Sequence, residues 1–160
     1  MELSQTLCGK HLGGIARLYL YDATKILSAT YNSHLGAYTS VAVEEGEEPM
    51  EVVFAEGSAS WSEKRRGEDG VEHRVAFSLR GVRPQALTTL TRLSERGIVA
   101  EVESEEGVKC LVGYSPQAHA DYPLRLTSAE IVTGCERGDR PTTHITLTST
   151  DGWFSHEVVG

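Results

Sequence analysis

Alternation of apolar and polar residues is the strongest pattern in this sequence, and it is clearest in Val71–Arg80. Five residues of this segment fall on one face of an extended chain: Val71, His73, Val75, Phe77 and Leu79. A period of two is typical of a β-strand with one buried face. The segment therefore predicts a half-buried β-strand, and it favours a fold that contains β-sheets.

Most of the remaining predicted strands form hairpins. Met50–Ser62 and Val71–Arg80 flank a charged segment with two glycines, which predicts a long hairpin whose loop, residues 62–71, is exposed. Two further hairpins are predicted, one of Ile98–Glu103 with Val108–Tyr114 and one of Leu124–Thr133 with Thr143–Thr148. Three single strands are predicted at Gly14–Tyr21, Thr39–Val43 and Trp153–Val159. The pattern predicts about eight strands.

One segment breaks the period of two and predicts a helix over about residues 84–95. Its apolar stripe consists of Leu87, Leu90 and Leu93. Pro84 suits the first helical position, and Gly97 suits the position after the last turn. A narrow leucine stripe must cover an apolar surface, so we expect these leucines to pack the helix on a sheet face or one end of a barrel.

The 160 residues suit a single β domain, residues 1–160, with residues 1–13 as a flexible N-terminal lead-in. The fold class expected is mainly β: an antiparallel β-sandwich or barrel with one flanking α-helix. With 15 Lys and Arg against 23 Asp and Glu, the formal charge is −8, which disfavours sequence-specific nucleic-acid binding and anionic membranes. The sequence shows no secretory signal and no membrane-spanning run, so we expect a cytoplasmic protein.

No local motif predicts a catalytic, cofactor or metal site. The six histidines lack the spacing of a zinc site: His11, His34, His73, His119, His144 and His156. Three of them, His73, His144 and His156, lie on predicted strands, where a histidine is more often a satisfied or exposed residue than a ligand. The three cysteines, Cys8, Cys110 and Cys135, fit neither a disulfide framework nor a metal knuckle. We therefore expect no enzyme, no bound metal and no cofactor.

The order of elements from Val71 onward resembles small virion proteins of tailed phages and prophages, of the tail-tube type. The resemblance covers about half the chain and rests on the strand HRVAFSLRG, the leucine-rich helix, the hairpin VAEVESEEGVKCLVGYS, and the "TG" at Thr133-Gly134 before the final strand Ile145–Ser149. Relatives of this type commonly carry Asp-Asn or Asn-Gly at the hairpin turn, where this chain has Glu105-Glu106-Gly107.

This resemblance implies a structural, non-catalytic subunit that self-associates into rings, hexameric in the family, and stacks as a tube alongside other tail proteins. Such a protein would be found in the host cytoplasm and in the virion. An acidic chain suits a conduit through which DNA slides without adhering. The charged hairpin loop is then the expected assembly loop, with Lys64, Arg65, Arg66, Glu68 and Asp69. The alternative is a small-molecule-binding β-barrel, with the helix closing one end and aromatic residues lining a cavity.

Overall fold

The chain folds into two β-sheets and one α-helix. The computed structural model describes residues 14–133 and 140–159, so the predicted lead-in at residues 1–13 lies outside the described residues. The strands are Ile15–Asp22 (β1), Ile26–Asn32 (β2), Ala37–Val43 (β3), Met50–Glu51 (β4), Ser60–Arg65 (β5), Val71–Arg80 (β6), Ile98–Ser104 (β7), Lys109–Val112 (β8), Arg125–Val132 (β9), Thr142–Asp151 (β10) and His156–Val158 (β11), and the helix α1 is Pro84–Arg96.

The first sheet has the strand order β2-β3-β11-β8-β7-β1-β4, and the second has the order β5-β6-β10-β9. Neighbouring strands are antiparallel except for the short parallel pair β3 and β11. The prediction of a mainly β fold is confirmed: the architecture is a β-sandwich with one flanking helix. The three predicted hairpins correspond to β5–β6, β7–β8 and β9–β10.

Eleven strands are present among the described residues, against about eight predicted. The strand β2 was not predicted. The prediction of one strand over Met50–Ser62 is wrong, because β4 ends at Glu51 in the first sheet and β5 begins at Ser60 in the second. The residues between them carry the chain from one sheet to the other.

The main hydrophobic core lies between the two sheets and beneath α1. It is built from the inward positions of β1, β6, β7 and β10, including Leu18, Phe77, Ile98 and Leu147. Leu90 of α1 is 4% exposed, while Leu87 and Leu93 are partly buried against the same core. The leucine stripe thus holds the helix on the sandwich, as its spacing indicates.

A second hydrophobic cluster lies on the opposite face of the first sheet. Val99 belongs to this cluster, whereas its neighbours Ile98 and Ala100 belong to the main core. Because successive strand residues point to opposite faces, β7 is covered on both sides at its beginning, around Val99. The cover on the outer side includes residues of β2 and β3, among them Tyr38.

The C-terminal end of α1 is fixed by a glycine and by β9. Gly97 has a φ of +98°, and its N–H donates to the carbonyls of Leu93 and Ser94. A Cβ on Gly97 would lie 2.5 Å from Cγ of Pro123, so a larger residue does not fit without movement. Arg125 Nη1 donates to the Ser94 carbonyl over 2.6 Å, which ties the helix end to β9.

Candidate functional site

The β5–β6 hairpin ends in a short, charged tip. Lys64 pairs with Glu72 and Arg65 with Val71, so both basic residues belong to β5 rather than to a loop. The turn itself spans residues 66–70, and the N–H of Arg66 donates to the Gly70 carbonyl over 2.8 Å. The loop predicted over residues 62–71 is therefore shorter in the structure. All five predicted assembly residues are brought together there and exposed: Lys64, Arg65, Arg66, Glu68 and Asp69.

A glycine lets this turn approach the end of β10. Gly70 has a φ of +106°, and a Cβ there would lie 2.2 Å from the carbonyl oxygen of Asp151. A side chain at this position would collide with backbone, which cannot move aside cheaply. The hairpin tip is thus held against the turn that follows Asp151.

An arginine and an exposed phenylalanine join the tip to that following turn. The Arg65 guanidinium carbon lies 5.9 Å from the ring centroid of Phe154, and Arg65 Nη2 donates to the Gly152 carbonyl over 3.3 Å. Phe154 is 49% exposed. We call the residues 64–69 together with Phe154 the tip surface. Sequence reasoning found its charged residues but missed Phe154, which is 85 or more positions away in the chain.

Beneath the tip surface lies a buried ionic cluster of Glu63, His73, Asp151 and Ser155, called here the His73 cluster. His73 is 1% exposed, and its two ring nitrogens face Glu63 Oε2 and, over 2.8 Å, Asp151 Oδ1. The hydroxyl of Ser155 donates to Glu63 Oε2, and its N–H donates to Glu63 Oε1 over 2.9 Å. The cluster joins β5, β6 and β10 to the segment that leads into β11.

The hydrogen bonds of the cluster favour the charged forms of His73 and Glu63. Burial by itself lowers the pKa of His73, but the hydrogen bonds with Glu63 and Asp151 outweigh burial and raise that pKa above its ordinary value. Burial likewise raises the pKa of Glu63, but the hydrogen bonds from His73 and Ser155 outweigh it, and the net pKa is lowered. The raised pKa favours the imidazolium form of His73, in which each ring nitrogen donates an N–H to one of the two carboxylates.

Serine, histidine and aspartate also make up the catalytic triads of hydrolases, but the geometry of this arrangement differs from that of a triad. Ser155 Oγ lies 3.4 Å from His73 Nδ1, but it lies closer to Glu63 Oε2, to which its hydroxyl donates. Both ring nitrogens of His73 are already occupied by carboxylates, and the ring is buried away from any substrate. A general base needs a free nitrogen within reach of the proton it removes. The cluster is suited to holding strands together.

The pattern of β5 contained the signal for this cluster. Glu63 shares a face with Trp61, which packs against the main core. A carboxylate two residues along points inward as well, and it needs a partner there. The exposed loop predicted over residues 62–71 includes Glu63. That placement is wrong because β5 extends to Arg65.

Other described histidines have hydrogen-bond partners outside this cluster. His144 Nδ1 lies 2.6 Å from the Ser78 hydroxyl, and His119 Nδ1 lies 3.2 Å from that of Tyr114. Within residues 14–133 and 140–159, no three His, Cys, Asp or Glu side chains are grouped to hold a metal ion. Burial raises the pKa of the free thiol of Cys110 to about 11. His11, Cys8 and Cys135 lie outside the described residues.

Comparisons with protein-family models, with curated proteins and with solved structures found no match to this chain. Among the residues that the structure describes, no helix is both long and apolar enough to cross a membrane. Function must therefore be argued from the tip surface, the His73 cluster and the sheets that carry them.

Proposed function

We propose that this chain is a structural, non-catalytic subunit that assembles with copies of itself into rings or tubes, as in the tail tubes of phages and prophages. The resemblance of its element order to tail-tube proteins supports this proposal, and six subunits per ring is the number that the resemblance implies. The observation that carries the proposal furthest is the tip surface mounted on the His73 cluster.

The composition of the tip surface suits a protein contact. Residues that dominate binding energy at interfaces are enriched in aromatic side chains and arginine, and here Phe154 and Arg65 stack on each other at the surface. A rigid mount reduces the entropy lost when a contact forms. The His73 cluster provides that mount, because Glu63 precedes the tip in β5 and Ser155 follows Phe154.

A non-catalytic role agrees with the chemistry of the buried groups. The histidine that could serve as a base has both nitrogens engaged and lies out of reach of substrate. The serine that could serve as a nucleophile donates its proton to a carboxylate. These groups are used to hold β5, β6, β10 and the approach to β11 together.

The experiment that tests this function is light scattering after size-exclusion chromatography over a series of protein concentrations, with electron microscopy of the largest species. We expect the mass to rise with concentration and the largest species to be rings or tubes. A chain that stays monomeric at the highest concentration contradicts the proposal.

One observation favours the alternative of a small-molecule-binding protein. An open groove of about 840 Å³ lies between the crossing from β4 to β5 and the end of β6. Apolar Val52, Phe54 and Leu79 line it together with two arginines and three glutamates, a lining that suits a mainly apolar compound with polar groups at its edge: Arg80, Arg83, Glu51, Glu56 and Glu105. A monomer that binds such a compound stoichiometrically, and loses binding in Arg80→Ala but not in Arg92→Ala, favours this alternative.

A further inference from the structure

Charged side chains are divided unevenly between the strands of the two sheets. Apart from the buried His73 cluster, the strands of the second sheet carry five basic and two acidic side chains, namely Lys64, Arg65, Arg74, Arg80 and Arg125 against Glu72 and Glu130. The strands of the first sheet show the reverse, with Asp22, Glu51, Glu101, Glu103 and Glu157 against Arg17 and Lys109. The strands of the two sheets thus have equal and opposite excesses of charge.

Three of these acidic residues, Glu51, Glu101 and Glu103, lie on the outer face of the first sheet, whereas Asp22 and Glu157 lie opposite core-facing residues and point to its inner side. Glu51 and Glu101 flank Tyr19 in register, on β4 and β7 respectively, and Glu103 lies opposite Arg17 on the next pair. Leu18 and Leu20 point into the main core, so Tyr19 and its two acidic neighbours point away from it. The turn after β7 adds Glu105 and Glu106 to the same end of the sheet.

The outer face of the second sheet is polar, with basic residues among serines and threonines. Arg74 is exposed and lies between Ser62 and Thr148 on the neighbouring strands. Ser60 and Thr146 flank Ala76 in the same way, one register step further along. This face has no apolar centre, so charge is the property by which a partner would recognise it.

We propose that copies of this chain associate face to face, with the basic outer face of the second sheet of one copy against the acidic outer face of the first sheet of the next. This inference rests on the proposed function, because it names the surfaces through which self-assembly occurs. The two faces belong to the same chain and differ from each other. Each added copy therefore uses one face for the contact and leaves its other face free to bind a further copy. Such head-to-tail contacts build rings when the rotation closes and filaments when it does not.

The contact is polar, so its strength depends on ionic strength. Salt screens the attraction between exposed charges, and the Debye length over which charges interact is about 8 Å at physiological ionic strength and shorter at higher salt. We therefore expect assemblies formed at low salt to dissociate as sodium chloride is added. A contact made mainly through apolar side chains would respond in the opposite direction, if at all.

Charge reversal on each face, singly and together, tests the proposal in the full chain. Arg74→Glu changes the basic face and Glu51→Lys changes the acidic face, and neither residue belongs to the tip surface. Each single variant should raise the concentration needed for assembly about tenfold, since an attraction becomes a repulsion. The double variant should recover most of the loss, because its faces are again better matched in charge.

Matched controls are available on the exposed side of α1, away from both outer faces. Arg92→Glu and Glu95→Lys make the same changes in net charge, and they should assemble like the parent chain. Thermal unfolding of all variants checks that each one folds. If the parent assembles, and Arg74→Glu and Glu51→Lys assemble as well as these controls, the face-to-face contact is wrong while the proposed function stands. If the parent itself does not assemble, both proposals fail.

Discussion

Asp151, the last residue of β10, accepts a hydrogen bond over 2.8 Å from Nε2 of His73 on β6. The two residues are diagonal neighbours, since His73 lies directly opposite Ser149 and Asp151 lies opposite Val71. This diagonal bond, with Glu63 on the other ring nitrogen, makes a buried histidine the centre of the end of the sandwich that bears the tip surface.

The free energy of unfolding should depend on pH through this cluster. The raised pKa of His73 gives a stabilisation that is complete below the ordinary histidine value of 6.5 and is lost as the pH rises through the folded value. The lowered pKa of Glu63 gives a stabilisation that is complete above its ordinary value of 4.5 and is lost as the pH falls through the folded value. Together they contribute most between pH 4.5 and 6.5.

Urea denaturation from pH 4 to pH 9 measures this dependence. Above pH 6.5 the parent should lose stability more steeply than the His73→Gln variant, in which no group titrates at this position. Equal slopes in the two proteins over that alkaline range would show that His73 is not charged in the folded state.

Replacing His73 by leucine should destabilise the fold strongly. The change leaves the carboxylates of Glu63 and Asp151 buried without their cation, which costs about 3–5 kcal/mol. Chemical denaturation at pH 6 measures the loss. The matched control is His144→Leu on β10, where the histidine is exposed and a change of about 0.5 kcal/mol or less is expected. A similar small loss in both variants contradicts the structural role of the cluster.

Truncating the central leucine of α1 tests the packing of the helix. Leu90→Ala should lower the free energy of unfolding by about 2–5 kcal/mol, because it opens a cavity beneath the helix. Leu27→Ala is the control, since Leu27 is 66% exposed on β2. A loss below about 0.5 kcal/mol for Leu90→Ala, measured by urea denaturation, contradicts the packing.

Changing the tip surface should affect assembly and leave the fold intact. Phe154→Ser removes an exposed ring and Arg65→Ser removes the guanidinium stacked on it, so we expect each variant to keep the parental thermal midpoint while forming fewer or smaller assemblies. The control is Tyr122→Ser, because Tyr122 is similarly exposed at 50%. If light scattering gives the same mass for all three variants, the tip surface takes no part in the contact between copies.

The parts of this fold that local pattern could predict are those whose pairing is local. The alternation in Val71–Arg80 and the leucine spacing after Pro84 predicted β6 and α1 with nearly the observed boundaries. Tertiary context determined the rest. Neither β2 nor the second hydrophobic cluster was predicted, because Val99 becomes buried on the outer face only when the β2–β3 hairpin covers it.

The candidate site, too, was predicted only where its residues are close together in the sequence. The predicted hairpin brought the charged residues of the tip together, because they are close in sequence. Ser155 and Asp151 are about 80 to 90 positions away from the partners they bind, and no local pattern brings them there. An inward-facing histidine in a strand of otherwise apolar positions does indicate a buried partner, but it does not indicate which one.

The position of β11 in the first sheet sets an order of events during synthesis on the ribosome. Glu157 pairs with Ala37 on one side and with Cys110 on the other, so β11 bridges the early hairpin β2–β3 to the rest of the sheet. While the nascent chain is still short of β11, the strands β2 and β3 have no hydrogen-bonded route into that sheet. The hairpin can pack its apolar residues on Val99 earlier, but among the described strands only β11 joins its hydrogen-bond ladder to the rest of the sheet, so that join forms last.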